Sequence, residues 1–337
     1  MAMLDHWHPV LDSRALPAEG VAGVKVAGRT LVLFRGRDGE LGAVDDQCAH
    51  RRMKLSLGKV QCGRLVCPYH GWSYDEEGRG ESPSSTRIHA RIESYACAEA
   101  AGAIWVRARG SERGLTAPIQ DGWDFAGVDV SRIAAPLELV IDNFSEVEHT
   151  VTTHPHFGFD GTLAAQTVNQ IESSEDAVSV RNHGPAKMPP FDTRIVVGIR
   201  RGDHFHSDYT FRFDPPRSSV THWWTDPTSG RERMLKYHVC HYFVPQDAGA
   251  TTIVTFGFLK MRWPLARLFV TPAGWLFRRK LRQTVAEDAF LVENLADQST
   301  ELAGMTLSRF DSVLAMTRER LRSIYCGNSG ERGQTGY

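Results

Sequence analysis

Two short pairs of metal-binding residue types constrain this chain more than any other feature: Cys48-Ala49-His50, then sixteen residues, then Cys67-Pro68-Tyr69-His70. Six cysteines in 337 residues do not make a disulfide framework in a chain long enough to bury its own core, so metal or redox use is the first question. Cys62, Cys97, Cys240 and Cys326 stand alone and read as small hydrophobes. The paired cysteines differ, because a thiolate and an imidazole a few residues apart form half of a metal site. Two such halves admit a Cys2His2 zinc site or an iron–sulfur centre. A zinc finger places its histidines on a helix, whereas each pair here lies between segments that alternate like strands, which favours iron–sulfur.

Those segments define the first domain. From His8 to about Arg109, runs such as VAGVKVAGRTLVLF and AIWVRAR are separated by turn signals, with Asp38-Gly39 and Glu77-Gly78 where tight hairpins belong. The pattern predicts an all-β domain over 1–115. Gly, Pro, Asp and Ser accumulate between Gly110 and Ala135, which reads as a connection. A second domain over 116–326 opens with a helix from about Asp142 to Thr152, ended by His154-Pro155. Its later segments AAQTVNQIE, AVSVRNHG, RIVVGIR, DYTFRFD, SSVTHWWTD, MLKYHVCHYFVP and TTIVTFGFLK read as one antiparallel sheet. Helices follow from Pro272 to about Gln298, where FRRKLR reads as a solvated face, and from Ser308 to Ile324; 327–337 reads as a flexible tail. The fold class is α+β. Thirty-nine Lys+Arg against forty Asp+Glu give no basic bias toward nucleic acid. No apolar run reaches membrane-spanning length, and the start MAMLDHWHPVLDSR lacks an apolar signal core. The expectation is a cytoplasmic protein with neither nucleic acid nor membrane as partner.

A second constellation lies in the second domain. His149 and His154 are five residues apart, about 140° around a regular helix, so one metal takes both only if the helix is distorted or ends between them. Far along the chain, Leu281, Val285, Asp288, Val292 and Leu295 advance by 4, 3, 4 and 3, which puts Asp288 on an apolar stripe. An acid there is costly without a partner. Glu287, off the stripe, reads as solvated. His206, Phe211, Phe213, His222, Trp223, Trp224, Tyr237 and His241 are candidates for a cavity wall, though strand alternation points about half of them elsewhere.

At these residues the sequence resembles the Rieske non-heme iron oxygenases, terminal oxygenases of the ring-hydroxylating family. Cys48-Ala49-His50-Arg51 with Leu55-Ser56-Leu57-Gly58 is similar to the family's first cluster loop, and Cys67 to Asp75 to the second. The resemblance covers roughly 7–107, with Ala49 where Pro is frequent and Arg52-Met53-Lys54 as a local departure. It implies that Cys48 and Cys67 hold one iron of a 2Fe-2S cluster and His50 and His70 the other. Asn143, Glu146, His149 and His154 match the spacing of the family's iron motif, implying that His149 and His154 bind Fe(II) with O2 as co-substrate. The third ligand sits on a late helix in an acidic pair followed by Glu, a pattern that Glu287-Asp288 and Glu293 resemble, and Asp288 is the choice. Where the family usually has Asp, this chain has Glu146. The resemblance assigns Asn143 and Glu146 to the catalytic machinery, with Glu146 meeting His70 of a neighbouring subunit in a homotrimer. It further implies a helix-grip catalytic domain, a separate reductase or ferredoxin as electron donor, and NAD(P)H only through that reductase. The expected activity is mono- or dioxygenation of a small cyclic or aromatic substrate, or O- or N-demethylation of a methylated one. A Rieske electron carrier would leave the motif from Glu146 to His154 unexplained. A zinc-stabilised ligand-binding protein would explain only part of the two ligand sets.

Overall fold

The computed structural model describes residues 2–261 and 270–327; the expected tail lies, from 328 onward, outside them. The chain forms two compact units that divide between Ala117 and Pro118, with Val244–Ala248 counted in the first.

Eleven strands make up the first unit among the described residues: β1 (His8–Asp12), β2 (Val21–Val26), β3 (Arg29–Arg35), β4 (Leu41–Asp45), β5 (Lys59–Gln61), β6 (Arg64–Val66), β7 (Ser73–Tyr74), β8 (Arg79–Ser82), β9 (Ser85–Arg91), β10 (Ser94–Ala100) and β11 (Ala103–Ala108). They form an antiparallel sheet in the order β1-β11-β10-β4-β3-β2 and a smaller one in the order β5-β6-β7-β8-β9. Both expected hairpins are present, with Gly39 and Gly78 at φ 97° and 77°, where a side chain would be strained. Alternation along β3 splits the core in two. Leu31 and Leu33 pack with Val26, Ile104 and Val106, while Val32 and Phe34 face the other way, onto Cys48, Leu55, Leu65, Cys67 and Tyr74. The two paired cysteines are thus core residues, and each loop is anchored by its own sulfur-bearing side chain.

The second unit is a seven-stranded antiparallel sheet with helices. Its strands are β12 (Asp124–Ile133), β13 (Val168–Ser173), β14 (Ala177–Pro185), β15 (His204–Phe213), β16 (Pro216–Thr225), β17 (Leu235–Asp247) and β18 (Ala250–Met261), and its helices α1 (Leu137–Ser145), α2 (Phe191–Val197), α3 (Val270–Glu293) and α4 (Ser312–Arg320). The strand order is β12-β18-β17-β16-β15-β14-β13. Three expectations need correction. The stretch read as a connection contains β12, which pairs with β18 over nearly its whole length, with one register shift between Phe125 and Gly127; Gly127 and Asp129 interrupt the apolar signal that would have shown it. RIVVGIR is not a strand: Pro190 starts α2 and Gly198, at φ 79°, ends it, so the turn chemistry at both ends overrides the β-branched run. The helix expected from Asp142 to Thr152 instead ends at Ser145, and the next residue, Glu146, is extended at φ −112° and ψ 157°.

Two glycines opposite each other in the ladder, Gly127 on β12 and Gly257 on β18, seat α3. A Cβ on Gly257 would lie 2.5 Å from the ring of Phe277, and one on Gly127 would lie 2.7 Å from the side chain of Arg278. This close approach fixes α3 against the sheet about three turns before Asp288. The stripe of α3 is buried at Leu281, Val285, Asp288 and Val292, but α3 ends at Glu293 and Leu295 is exposed beyond it.

Candidate cluster loops and metal centre

The two cysteine–histidine loops share one construction. In each, the cysteine N–H donates to the carbonyl five residues on, Cys48 to Met53 at 2.9 Å and Cys67 to Trp72 at 2.8 Å. In each, the residue four on donates back to the cysteine carbonyl, Arg52 at 2.9 Å and Gly71 at 3.2 Å, with a left-handed φ of 56° and 70°. The histidines are carried outward: His50 and His70 are exposed, with ring centroids 4.5 Å apart, and Trp72 stacks on His50 at 5.0 Å. Tyr74 supports the first loop from below, its hydroxyl 3.2 Å from Cys48 Sγ and accepting the N–H of Ala49 at 3.0 Å. A proline at 49 has no N–H to give, so the Ala49 departure comes with a hydrogen bond of its own. Burial raises the Cys67 thiol pKa, against the N–H groups of Tyr69 and His70 directed at the sulfur. The Cys48 and Cys67 thiols interact with each other and the His50 and His70 ring centroids are 4.5 Å apart, so the set pairs two thiols with two imidazoles.

In the second unit the early end of α1 creates the site. The Ser145 carbonyl, released from the helix, accepts the Tyr209 hydroxyl at 2.5 Å. The chain then turns into a short 3-10 segment, Glu148–Val151, that carries His149. Lys187 Nζ donates to the carbonyls of Thr150 and Val151 and closes that segment. His154 lies beyond it, so the two histidines escape the opposition a continuous helix would impose. Asp288 arrives from α3. His149 Nε2, His154 Nε2 and Asp288 Oδ1 form a nearly equilateral triangle with sides of 3.3, 3.4 and 3.2 Å. Dividing the mean side by √3 puts its centre about 1.9 Å from each atom, close to the ~2.0–2.2 Å of transition-metal bonds to N and O.

Each of the three candidate ligands has a hydrogen-bond partner outside the triangle. His149 Nδ1 donates to Glu146 Oε1 at 2.5 Å, His154 Nδ1 to Glu287 Oε2 at 2.9 Å, and Asn143 Nδ2 to Asp288 Oδ1 at 3.0 Å. Both imidazoles are thereby fixed with Nε2 toward the centre. Glu146 Oε2 also accepts the backbone N–H groups of Glu148 at 2.5 Å and His149 at 3.2 Å, shaping the turn. Three carboxylates surround two imidazoles, and the electrostatics follow. Burial works against a charged His149, but the Asp288 and Glu146 carboxylates outweigh it and hold the imidazolium up at about 10. Burial likewise raises Asp288, yet hydrogen bonds from His149 and His154 bring it well below the usual carboxylate range. The site demands positive charge at its centre, from protons or from a metal ion.

Glu287 is therefore only partly solvated, since its carboxylate also accepts from His154 and Gln283; its position next to Asp288 in the acidic pair is the signal that points to it. The other nearby acids are occupied: Asp142 by Arg318, Glu148 by Ser308 Oγ at 2.5 Å, and Glu293 by the N–H of Ala134 at 2.7 Å. From the triangle an apolar cavity of about 160 Å³ opens between the sheet and α3. Of the eight wall candidates, His222, Trp224, Tyr237 and His241 line it, while His206, Phe211, Phe213 and Trp223 do not. FRRKLR is only partly a solvated face, since Phe277, Lys280 and Leu281 also line the cavity.

Residues 6–95 match the Rieske [2Fe-2S] domain family, and 133–325, more than half of the chain, match the family described as the vanillate O-demethylase oxygenase C-terminal domain. The chain is similar to chlorophyllide a oxygenase of Oryza sativa, at 32% identity over 59% of this chain and 38% of that protein. It is similar to the vanillate O-demethylase oxygenase subunit of a Pseudomonas species, at 32% over 59% of each chain. With methylxanthine N3-demethylase NdmB of Pseudomonas putida it shares 28% over 63% of this chain and 62% of that protein. The chain thus spans between about two fifths and three fifths of the length of these relatives. Its fold is similar to dicamba monooxygenase bound to 3,6-dichlorosalicylic acid, with a TM-score of 0.80, 16% identity and coverage of 98% of this chain and 99% of the other. Pseudomonas putida NdmA with caffeine gives 0.71, 23%, 95% and 90%.

Proposed function

The chain belongs to the Rieske non-heme iron oxygenase family, with a C-terminal domain of the vanillate O-demethylase oxygenase kind, and from that premise we propose that it is a terminal oxygenase acting on a small cyclic or aromatic molecule. The observation that carries this reading is the triangle of His149, His154 and Asp288 opening into an apolar cavity, on the same chain as the two matched cysteine–histidine loops. Cys48, Cys67, His50 and His70 would hold the 2Fe-2S cluster, and His149, His154 and Asp288 a mononuclear Fe(II). When bound, these groups supply one-electron transfer and O2 chemistry.

The polypeptide does the rest. Glu146 and Glu287 set the tautomers of the two histidines, Asn143 orients the carboxylate, and a metal held by these three side chains would have fewer protein ligands than it can take. Aromatic walls keep water away and give a flat substrate its orientation. Burial lowers His241 to about 4 and His222 to about 3, so neither adds positive charge beside the site. Among the described residues His222 Nδ1 has no hydrogen-bond partner, which leaves it for a substrate atom.

Electrons would come from a separate reductase or ferredoxin, with NAD(P)H acting only through it. A homotrimer in the cytoplasm, with Glu146 facing His70 of a neighbouring subunit, completes the proposal. No described helix is long and apolar enough to cross a membrane. The match of the larger domain favours demethylation as the second reading. The test is O2 uptake by the iron-loaded protein with a surrogate reductase and a panel of methoxy- and methyl-substituted ring compounds. Formaldehyde release assigns demethylation, and a hydroxylated ring assigns ring oxygenation. Absence of a reduced Rieske EPR spectrum contradicts the reading, and iron that never exceeds two per chain leaves only an electron carrier.

A further inference from the structure

The cavity that opens at the metal triangle has a second polar end. There Lys280, His156 and Thr193 meet, and Lys280 is the one Lys or Arg among the described lining residues. Lys280 Nζ lies 3.2 and 3.3 Å from the two ring nitrogens of His156, and Thr193 Oγ1 lies 3.2 Å from Nδ1. The tautomer is set from the other side. Gln283 Nε2 donates to Glu287 Oε1 at 2.8 Å, which turns Gln283 Oε1 toward His156 Nε2 at 3.1 Å to accept its N–H. Nδ1 is left as the acceptor, with two donors, Lys280 and Thr193, competing for one lone pair. The donor that does not take Nδ1 turns to Asp192, whose carboxylate lies 3.4 Å from Thr193 Oγ1 and 3.1 Å from Lys280 Nζ. Asp192, 3.1 Å from Lys280 and half exposed, is a weak surface partner that a ligand anion can replace.

We propose that this corner binds the carboxylate of an organic acid whose apolar body fills the cavity and whose far end reaches the metal triangle. The inference rests on the oxygenase reading and names its substrate class. Lys280, Thr284 and Asp288 share a face of α3 and all line the cavity. Eight residues of helix separate Lys280 from Asp288 by about 12 Å. Once the two side chains have reached inward, the remaining distance suits a single ring between the carboxylate and the reacting carbon.

The test is calorimetric titration of the anaerobic iron-loaded protein with 4-methoxybenzoate and 3-phenylpropanoate, each against its primary amide. At least one acid should bind about tenfold or more tightly than its amide, the usual contribution of a charged hydrogen bond. Lys280→Met should abolish that ratio while changing amide affinity by no more than about twofold. Asp192→Asn, which removes the competing carboxylate, should move the other way and strengthen acid binding. Equal binding of acids and amides by the wild type, binding of neither, or an unchanged ratio in Lys280→Met overturns the anion site. Rieske EPR and iron content on the same samples keep the two questions apart: loss of cofactors in the wild type counts against the oxygenase reading, and intact cofactors without acid preference count against the anion site alone.

Discussion

Glu287 accepts His154 Nδ1 at 2.9 Å and the Gln283 amide at 2.8 Å, so under the proposed function the affinity of the centre would depend on a residue outside the metal position. Glu287→Gln keeps the shape and removes the charge that makes His154 a stronger donor. Iron affinity should fall about 10–100-fold with the Rieske spectrum intact, measured as iron retained during dialysis against a mild chelator; wild-type retention contradicts it. Glu146 carries a heavier load, because one oxygen holds the ring of His149 and the other accepts two backbone amides. Glu146→Asp restores the usual family residue but shortens the arm by about 1.5 Å, so it gives up one set of contacts. Single-turnover oxidation of a pre-reduced cluster should slow, and a wild-type rate would show that the backbone moves in to compensate. Asp288 is legible in the sequence because an acid on an apolar stripe demands a partner. Glu287 is not, because helical periodicity reports which face a residue occupies, and a side chain at the edge of that face can still reach inward to a histidine.

At the level of elements, the seat of α3 is the most consequential packing contact for the site. Gly257→Ala would place a methyl 2.5 Å from the Phe277 ring and push α3 off the sheet. The expected result is a loss of about 1–3 kcal/mol from overpacking, a lower melting temperature, and weaker retention of mononuclear iron because Asp288 moves with the helix. Unchanged melting and iron content would mean that Phe277 swings away freely. The strands β14 to β18 could be read from alternation, and the cluster loops from their spacing. The two misread helical segments share one cause: the residues that decide them are few and lie at the ends. Pro190 and Gly198 make α2 from a Val-rich run, while the Tyr209 hydroxyl, from a distant strand, takes the carbonyl at which α1 stops. Such long-range partners leave no periodic trace.

The whole molecule places two ligand sets in two separately packed units, and both units rely on neutral buried histidines. Burial lowers His8 and His238 to about 4 and His222 to about 3. Between about pH 6.5 and 4 the unfolded chain therefore binds protons that the folded chain refuses. Stability should fall as pH drops below 6.5, by about 1.4 kcal/mol per pH unit for each fully buried histidine. Melting curves at pH 7.5, 6.0 and 5.0 check this, and a constant melting temperature contradicts it. The central claim, that one chain carries a Rieske cluster and a mononuclear iron site built from His149, His154 and Asp288, is tested most directly by iron analysis with Rieske EPR on wild type and Asp288→Ala. The account predicts about three irons per chain in the wild type, and in the variant about two with an unchanged Rieske signal. A variant that still holds three irons, or a wild type that never exceeds two, contradicts it.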